Sequence, residues 1–536
     1  MNVTATFWGR ATAGRVACCL VVAGVGLGLA SPAQAQLPAL ATVALTVPAG
    51  LASPPFQEAR SVQVPTGFGL AVYARVPGAR FMAVTPDGSL LVSQPGAGKV
   101  ALVRPGSAGS LPTVTDFVTG LRNPHDLVFH TIGATTYLYL AESHQISRYV
   151  YRAGDLTAQN RQLIITGLPD ASTPELQGNY GHQLKNLALD GNHKLYVSIA
   201  STCNVCVSDT QSDPKRATIY QYEADGTTRR LFAQGLRNAE GLAFVPGTNT
   251  LWVTVNSRDN MPYPVQDNTG QYGRVIAAYV DNHPPDLFTK VVDGGNYGWP
   301  FANPNPDASL DNMPYDLDYD TNRTGAVPLA TFTPASKGIQ AHSAALGLTF
   351  LQGTAFPAAY ASGAVVALHG SWNRSAPTGY KVVYFPWNAA TQSPGTQTDL
   401  VSGFTSGGSA WGRPVDTAVD PQGRLFISDD QSGTIYQLSG PATPLAAASP
   451  AAGLASAQLF PNPAGPGPTT LDLASLPAGR YTLTVLDLLG RAVLPAQQVT
   501  GGTRVELASL AAISRGAYLL RIQGEQVSQV LRFVRQ

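Results

Sequence analysis

The chain has 536 residues, of which only 12% are charged, while glycine (54) and proline (41) are abundant. Such a composition favours many short strands joined by tight turns over long amphipathic helices, which places the protein in the all-β class. A formal charge of +1 over the whole sequence supplies no basic surface and excludes nucleic acid as a partner.

In chain order, Arg10 and Arg15 precede an apolar run from Val16 to Ala30 that ends in Ala33-Gln34-Ala35. These are the basic region, apolar core and small-residue cleavage site of an export leader. Residues 1–35 are predicted to be a signal peptide, removed with Cys18 and Cys19, and residues 36–59 an N-terminal extension. The run falls short of the ~20 residues of a membrane span, and no later segment is longer, so the mature chain is expected to have no transmembrane segment.

One pattern then recurs six times between Arg80 and Leu438: a cationic or imidazole residue, a short apolar strand, a turn often built on Pro and Gly, and a second strand. The copies open at Arg80, His125, His182, Arg237, His342 and Arg413. Strands that pair in sequence with uneven spacing predict a six-bladed β-propeller over residues 60–439, with insertions in its loops. The longest insertion runs from Pro262 to Lys337. Cys203 and Cys206 form a C-x-x-C that no second Cys or His pair completes as a zinc site, so a local disulfide outside the cytosol is expected. Residues 440–456, rich in Ala, Pro, Ser and Gly, read as a linker. Beyond them, residues 457–536 alternate as short strands, with Tyr481, Leu483 and Val485 on one face, which predicts a small β-sandwich.

The inner strands of a propeller aim one end at a central funnel, so residues just before them converge. Here those are Arg80, His125, His182 with Lys185, Arg237, His342 and Arg413. A ring of like charge repels itself, which predicts a polyanionic guest. The competing reading is that each cation caps a turn or pairs with a nearby acid.

Several longer motifs carry a family resemblance: Ser201-Thr-Cys-Asn-Val-Cys, Gly235-Leu-Arg-Asn-Ala-Glu-Gly-Leu-Ala-Phe, Val255-Asn-Ser-Arg-Asp, Gly294-Gly-Asn-Tyr-Gly-Trp-Pro, His342-Ser-Ala-Ala-Leu-Gly-Leu-Thr-Phe, Leu368-His-Gly-Ser-Trp-Asn-Arg and Trp411-Gly-Arg-Pro-Val. Residues ~60 to 438 resemble the soluble quinoprotein sugar dehydrogenases, in their L-sorbosone-dehydrogenase-like branch. The resemblance implies pyrroloquinoline quinone (PQQ) as cofactor and a sugar or sugar aldehyde as substrate, with electrons leaving to a soluble quinone or a cytochrome. It assigns His182 as the base that takes the substrate hydroxyl proton, a task that suits imidazole near neutral pH. It assigns Arg237, Asn238 and Arg413 to the cofactor, whose three carboxylates call for guanidinium forks. His369 falls near a further cationic contact, and Arg80, His125 and Lys185 fit the same ring. The resemblance also implies calcium, held by the backbone carbonyls of Ser257 and Arg258. Three positions depart from the usual pattern: Lys185 for arginine, Asp126 for glycine, and Ser257 within Asn-Ser-Arg-Asp. Trp299, His144, His193 and His283 are read as structural.

Leu459-Phe-Pro-Asn-Pro, the Leu489-Gly-Arg turn and Gly516-Ala-Tyr-Leu-Leu-Arg-Ile resemble the C-terminal sorting domain read by the type IX secretion machinery of Gram-negative bacteria, which implies delivery to the cell surface or medium. Two other functions fit a propeller. A calcium-dependent lactonase needs carboxylates and Asn side chains around a central metal, and a non-catalytic binding propeller needs no base at His182.

Overall fold

The computed structural model describes residues 37–536 except 108–109, 353–355, 421, 441–456, 466, 488–491 and 525–527. The leader at 1–35, nearly all of the 440–456 linker and the Leu489–Arg491 turn therefore lie outside the described residues. The described chain falls into two compact units that divide between Ala442 and Thr443.

Among the described residues the first unit has six mainly antiparallel sheets of four or five strands and three two-stranded ribbons. Each of the six has its innermost strand first in chain order, except where an earlier strand closes the sixth. Those inner strands are β1 (Met82–Val84), β2 (Leu127–Ile132), β3 (Leu187–Leu189), β4 (Asn238–Phe244), β5 (Ala345–Gln352) and β6 (Pro414–Val419). Each touches the next, and β6 returns to β1, closing a ring. The sixth sheet is completed by a strand from the start of the unit: Gly69–Arg75 pairs with Thr434–Ser439. The first and last strands of the ring are thus pinned in one sheet, which closes the seam. The N-terminal extension adds Leu40–Ala44 against Ser61–Pro65 and seats Phe56 against Trp411 and Tyr436.

Apolar side chains of adjacent sheets pack face to face between the blades. Val92, Val103, Phe426 and Ile435 fill one such layer, and Trp252, Phe288, Val366 and Phe385 another. Near the axis the strands approach too closely for side chains. A Cβ at Gly241 would lie 2.5 Å from the Leu346 carbonyl oxygen, and one at Gly347 only 2.0 Å from Asp416 Oδ1, so glycine is required at both.

Carboxylates at matching positions latch neighbouring sheets. Asp416 Oδ2 accepts the Met82 amide at 2.8 Å, and Asp126 Oδ2 accepts the Leu187 amide at 2.8 Å. This explains the departure at Asp126: the residue does not face the funnel but ties the second sheet to the third. Burial raises the Asp126 carboxyl well above its ordinary range and that of Asp416 to about 7.

The second unit has a three-stranded and a four-stranded antiparallel sheet around Leu471, Leu473, Leu520, Ile522 and Phe533. Tyr481, Leu483 and Val485 are buried on one face of Arg480–Leu486 as their alternation requires. The protein is an all-β propeller followed by a small β-sandwich.

Candidate active site

His182 precedes β3 and lines a cavity of about 150 Å³ together with Arg237, Asn238, Asn256, Ser257, Asp259, Asp286, His342 and Trp372. Its Nδ1 lies 3.0 Å from the Ser201 carbonyl oxygen. A carbonyl can only accept, so Nδ1 carries the proton and Nε2 keeps its lone pair, with no partner among the described residues. Burial, then the neighbouring charge of Arg237, holds His182 below the ordinary imidazole value. The ring is neutral and basic at Nε2 near pH 7.

Ser201 opens the turn closed by the Cys203–Cys206 disulfide, with Cα atoms 5.9 Å apart. The Ser201 hydroxyl donates to the Cys203 carbonyl at 2.9 Å. Between the cysteines stands Asn204, whose part in the site the sequence reading missed. Its carbonyl oxygen accepts from Arg237 Nε at 3.3 Å and from Trp299 Nε1 at 3.0 Å. Its side-chain oxygen accepts from Arg237 Nη2 at 3.1 Å and from the Asp259 amide at 2.8 Å. One short disulfide-bounded turn therefore positions both His182 and Arg237, and Trp299 is structural in the sense that it braces this turn.

The funnel cations do not stand as a ring of like charge, and here the sequence expectation is corrected. Acids interleave with them. Arg237 pairs with Asp259 at 3.2 Å, His125 with Glu240 at 3.3 Å, and Asp430 binds both Arg80 at 2.8 Å and His369 at 2.9 Å. Burial alone would raise Glu240 and Asp430. For Glu240 the hydrogen bond to His125, with the charge of Arg80 beyond, outweighs it and brings the carboxyl down to about 2, while burial holds the His125 ring itself below the ordinary imidazole value. For Asp430 the hydrogen bond to His369 and the charge of Arg80 hold the carboxyl below the usual range, and burial likewise lowers His369. Asn238 joins the network by donating to Glu240 at 3.0 Å. Asp259, Glu240 and Asp430 each sit one to three residues from a strand end, and only their short offset from Arg258, Asn238 and Asp429 could have flagged them.

Arg413 is held by the carbonyls of His369 at 3.0 Å and Gly370 at 2.8 Å, which engage Nε and Nη2. Its Nη1 has no partner among the described residues, and Arg80 Nε is buried and also unpartnered. His342 is committed elsewhere: its Nε2 donates to Val280 at 2.8 Å, and its Nδ1 lies 3.7 Å from Asp259. Two expected cofactor contacts are enclosed. His125 is fully buried against Phe81. Lys185 is fully buried, its ammonium given to the Pro169 and Gln183 carbonyls and covered by Tyr180. Burial lowers Lys185 to about 7. A larger groove of about 530 Å³ lies beside Trp411 and Gln431, but Arg60 is the single titratable residue lining it, so it lacks the groups for proton transfer.

Residues 62–441 match the family model described as TrAA12-like. The chain belongs to the TrAA12-like family. Residues 458–536 match the secretion system C-terminal sorting domain, so a sorting domain follows the TrAA12-like one. A pyrroloquinoline quinone-dependent pyranose dehydrogenase from Coprinopsis cinerea is 25% identical over 341 residues, covering 54% of this chain and 43% of that protein. A Borreliella burgdorferi protein is 27% identical over 249 residues, 46% of this chain and 57% of that one. The chain thus spans about half the length of the curated relatives it matches. Among solved structures, the holo PQQ domain of the Coprinopsis cinerea pyranose dehydrogenase aligns with a TM-score of 0.59 at 21% identity, covering 74% of this chain and all of that one. The calcium structure of a Trichoderma reesei carbohydrate-active enzyme of family AA12 aligns with a TM-score of 0.58 at 20% identity, over 70% and 96% of the two chains. These likenesses establish the TrAA12-like fold.

The donor set of this TrAA12-like site suits a polycarboxylate. Arg80 Nε is a buried donor without an acceptor, a state rare in folded proteins, and the half-buried Arg413 keeps Nη1 free; neither residue lines the cavity of His182 itself. A carboxylate would satisfy them with charge-assisted bonds. Calcium is expected, from the resemblance in sequence, on the backbone carbonyls of Ser257 and Arg258. The Ser257 carbonyl accepts from Arg237 Nη1 at 2.9 Å, so a guanidinium already faces the oxygen a dication would need. Among the described residues no three His, Cys, Asp or Glu side chains gather as a metal site.

Proposed function

We propose that this protein is an exported PQQ-dependent dehydrogenase that oxidises a sugar hemiacetal or hydrated sugar aldehyde. The observation that carries the reading is the fixed tautomer of His182, whose basic Nε2 belongs to a cavity it shares with Arg237 and Asn238. When bound, PQQ supplies the acceptor for the two electrons that leave the sugar carbon with its hydrogen.

The chain supplies the rest. His182 Nε2 takes the proton of the anomeric hydroxyl as the carbonyl of the lactone or acid forms. The Ser201 carbonyl stabilises the imidazolium that results, because its bond to the Nδ1 proton strengthens as the ring gains charge. Arg80 and Arg413 bind carboxylates, with Arg237, Asn238 and His369 completing the wall. Acids between these cations limit their mutual repulsion and orient the Arg80 and Arg237 guanidinium groups in advance. No step is routed through calcium.

Electrons pass on to a soluble quinone or cytochrome. Residues 1–35 direct export and are removed. The type IX machinery reads residues 457–536, joined through the 440–456 linker to the 60–439 catalytic domain. The name of the Coprinopsis relative supports PQQ and a pyranose, and the carboxylate-seeking donors support the same cofactor. The test is to reconstitute the purified protein with PQQ and follow dye reduction across aldoses and sugar aldehydes. Sugar-dependent reduction that needs PQQ supports the reading, and inertness across the panel refutes it.

A further inference from the structure

We infer that Trp372 is the platform on which a ring-form sugar stacks as it enters the site, an inference that rests on the dehydrogenase reading above. Trp372 is 73% exposed, more than any other large apolar side chain among the described residues, yet it lines the cavity that holds His182. An indole left in water forgoes one of the largest apolar burials a side chain can contribute. Such exposure is informative when the backbone beneath it is rigid, because the ring then has no floppy loop to explain it.

The backbone is rigid here. The loop is pinched at its neck, where a Cβ on Gly379 would lie 2.7 Å from Gly370 Cα, and both glycines have positive φ. Across the neck the Ser371 amide donates to Thr378 at 2.9 Å and the Thr378 amide donates to Ser371 Oγ at 2.9 Å. The far side of the loop is tied down as well. Arg374 donates to the Asp281 and Ala341 carbonyls, and the Ser375 amide donates to Asp281 Oδ1 at 2.7 Å. Arg374, Ser375 and Thr378 are committed to holding the loop, Asn373 Nδ2 is buried beside them without a partner, and the indole is the side chain that the loop leaves exposed.

A pyranose offers a matching surface. Its axial C–H bonds form an apolar face, while its hydroxyls point outward around the rim. Stacking that face on Trp372 covers the indole and leaves the anomeric hydroxyl free to reach His182. A small acyclic aldehyde has no such face. The residue therefore selects for the ring form over an acyclic aldehyde and does not take part in proton transfer.

The experiment compares Trp372→Ala and Trp372→Phe with the unaltered PQQ-loaded protein, using D-glucose, cellobiose and glycolaldehyde as probes. Replacement by Ala is expected to raise KM for the two ring sugars on the order of tenfold, at least fivefold more than for glycolaldehyde. Phe should recover most of that loss. The acid limb of the pH profile, which reports His182, should not move. In parallel, cellobiose is titrated into quinone-free protein and tryptophan fluorescence is read. A saturable change lost in Trp372→Ala supports the platform even if no probe is oxidised, so its fate is separable from that of the dehydrogenase assignment. Equal KM changes for all three probes, weakened PQQ binding without a sugar effect, or an unchanged fluorescence titration would each overturn it.

Discussion

Replacing His182 by Gln removes the base while leaving an amide of similar reach to meet the Ser201 carbonyl, which now receives Nδ1–H at 3.0 Å. General base catalysis by a positioned imidazole contributes ~10²- to 10⁴-fold, which at about 1.36 kcal/mol per factor of ten is roughly 3 to 5 kcal/mol of barrier. Dye-coupled turnover of the PQQ-loaded variant should fall by that factor, whereas its affinity for PQQ should change little. The pH profile makes the assignment sharper. Burial and Arg237 hold His182 below the ordinary imidazole value, so kcat/KM of the unaltered protein should rise with pH through a value under 6.5 and then level. In His182→Gln that limb should vanish. Three other acid or imidazole groups share the cavity, of which Asp259 is paired with Arg237. Asp286 is raised by burial to about 7, but its oxygens accept the Ser257 amide at 3.0 Å and the Ala344 amide at 2.8 Å. His342 donates Nε2–H to Val280 and faces Asp259 with Nδ1. A loss smaller than tenfold, with the acid limb intact, would refute the reasoning, and a limb near 7 would transfer the role to Asp286.

Three further outcomes follow from the same geometry. Reducing the Cys203–Cys206 disulfide, or replacing Asn204 by Ala, should weaken PQQ binding on the order of tenfold, since Arg237 loses up to two partners of ~1 kcal/mol each; equilibrium titration checks this, and unchanged affinity would show that the turn does not position Arg237. Asp416 has a folded-state value near 7 against an ordinary 3.8, so its contribution to stability is complete below about 4 and is lost as pH rises through 7. Asp416→Asn should therefore flatten the decline in melting temperature between pH 5 and pH 8, and scanning fluorimetry that shows the same slope in both proteins would contradict the latch. A chain ending at Ser439 contains all six sheets, because the last is closed by Gly69–Arg75. It should melt as the propeller does yet remain in the periplasm, and its appearance on the cell surface would remove the sorting role from residues 457–536.

The fold was legible because it is periodic. The strand pairs from Leu90 to Leu438 alternate with turn residues, and the strict alternation of Tyr481, Leu483 and Val485 is reproduced in the buried face of the sandwich. The candidate site was legible in part, since His182, Arg237 and Asn238 stand at strand ends, where chain position and spatial position coincide. What the sequence concealed is the direction of side chains. Lys185 and His125 stand near strand ends as Arg237 does, but Lys185 turns back to the Pro169 carbonyl and His125 pairs with Glu240. The acids Asp259, Glu240 and Asp430 escaped notice because each belongs to a different sheet from at least one of its partners. A repeat pattern read along the chain carries no record of contacts between repeats. Asp126 looked like a loss at the funnel for that reason, whereas it gains a bond to the next sheet.

The central claim is that separate blade ends form one receptor for a carboxylate-bearing redox cofactor. It is tested most directly by calorimetric titration of PQQ into the purified protein, alongside Arg413→Ala and Arg80→Ala. Binding should be saturable and one-to-one, and should weaken on the order of tenfold or more in each variant, as loss of a charge-assisted contact requires. Absence of saturable binding, or binding indifferent to both arginines, would contradict it.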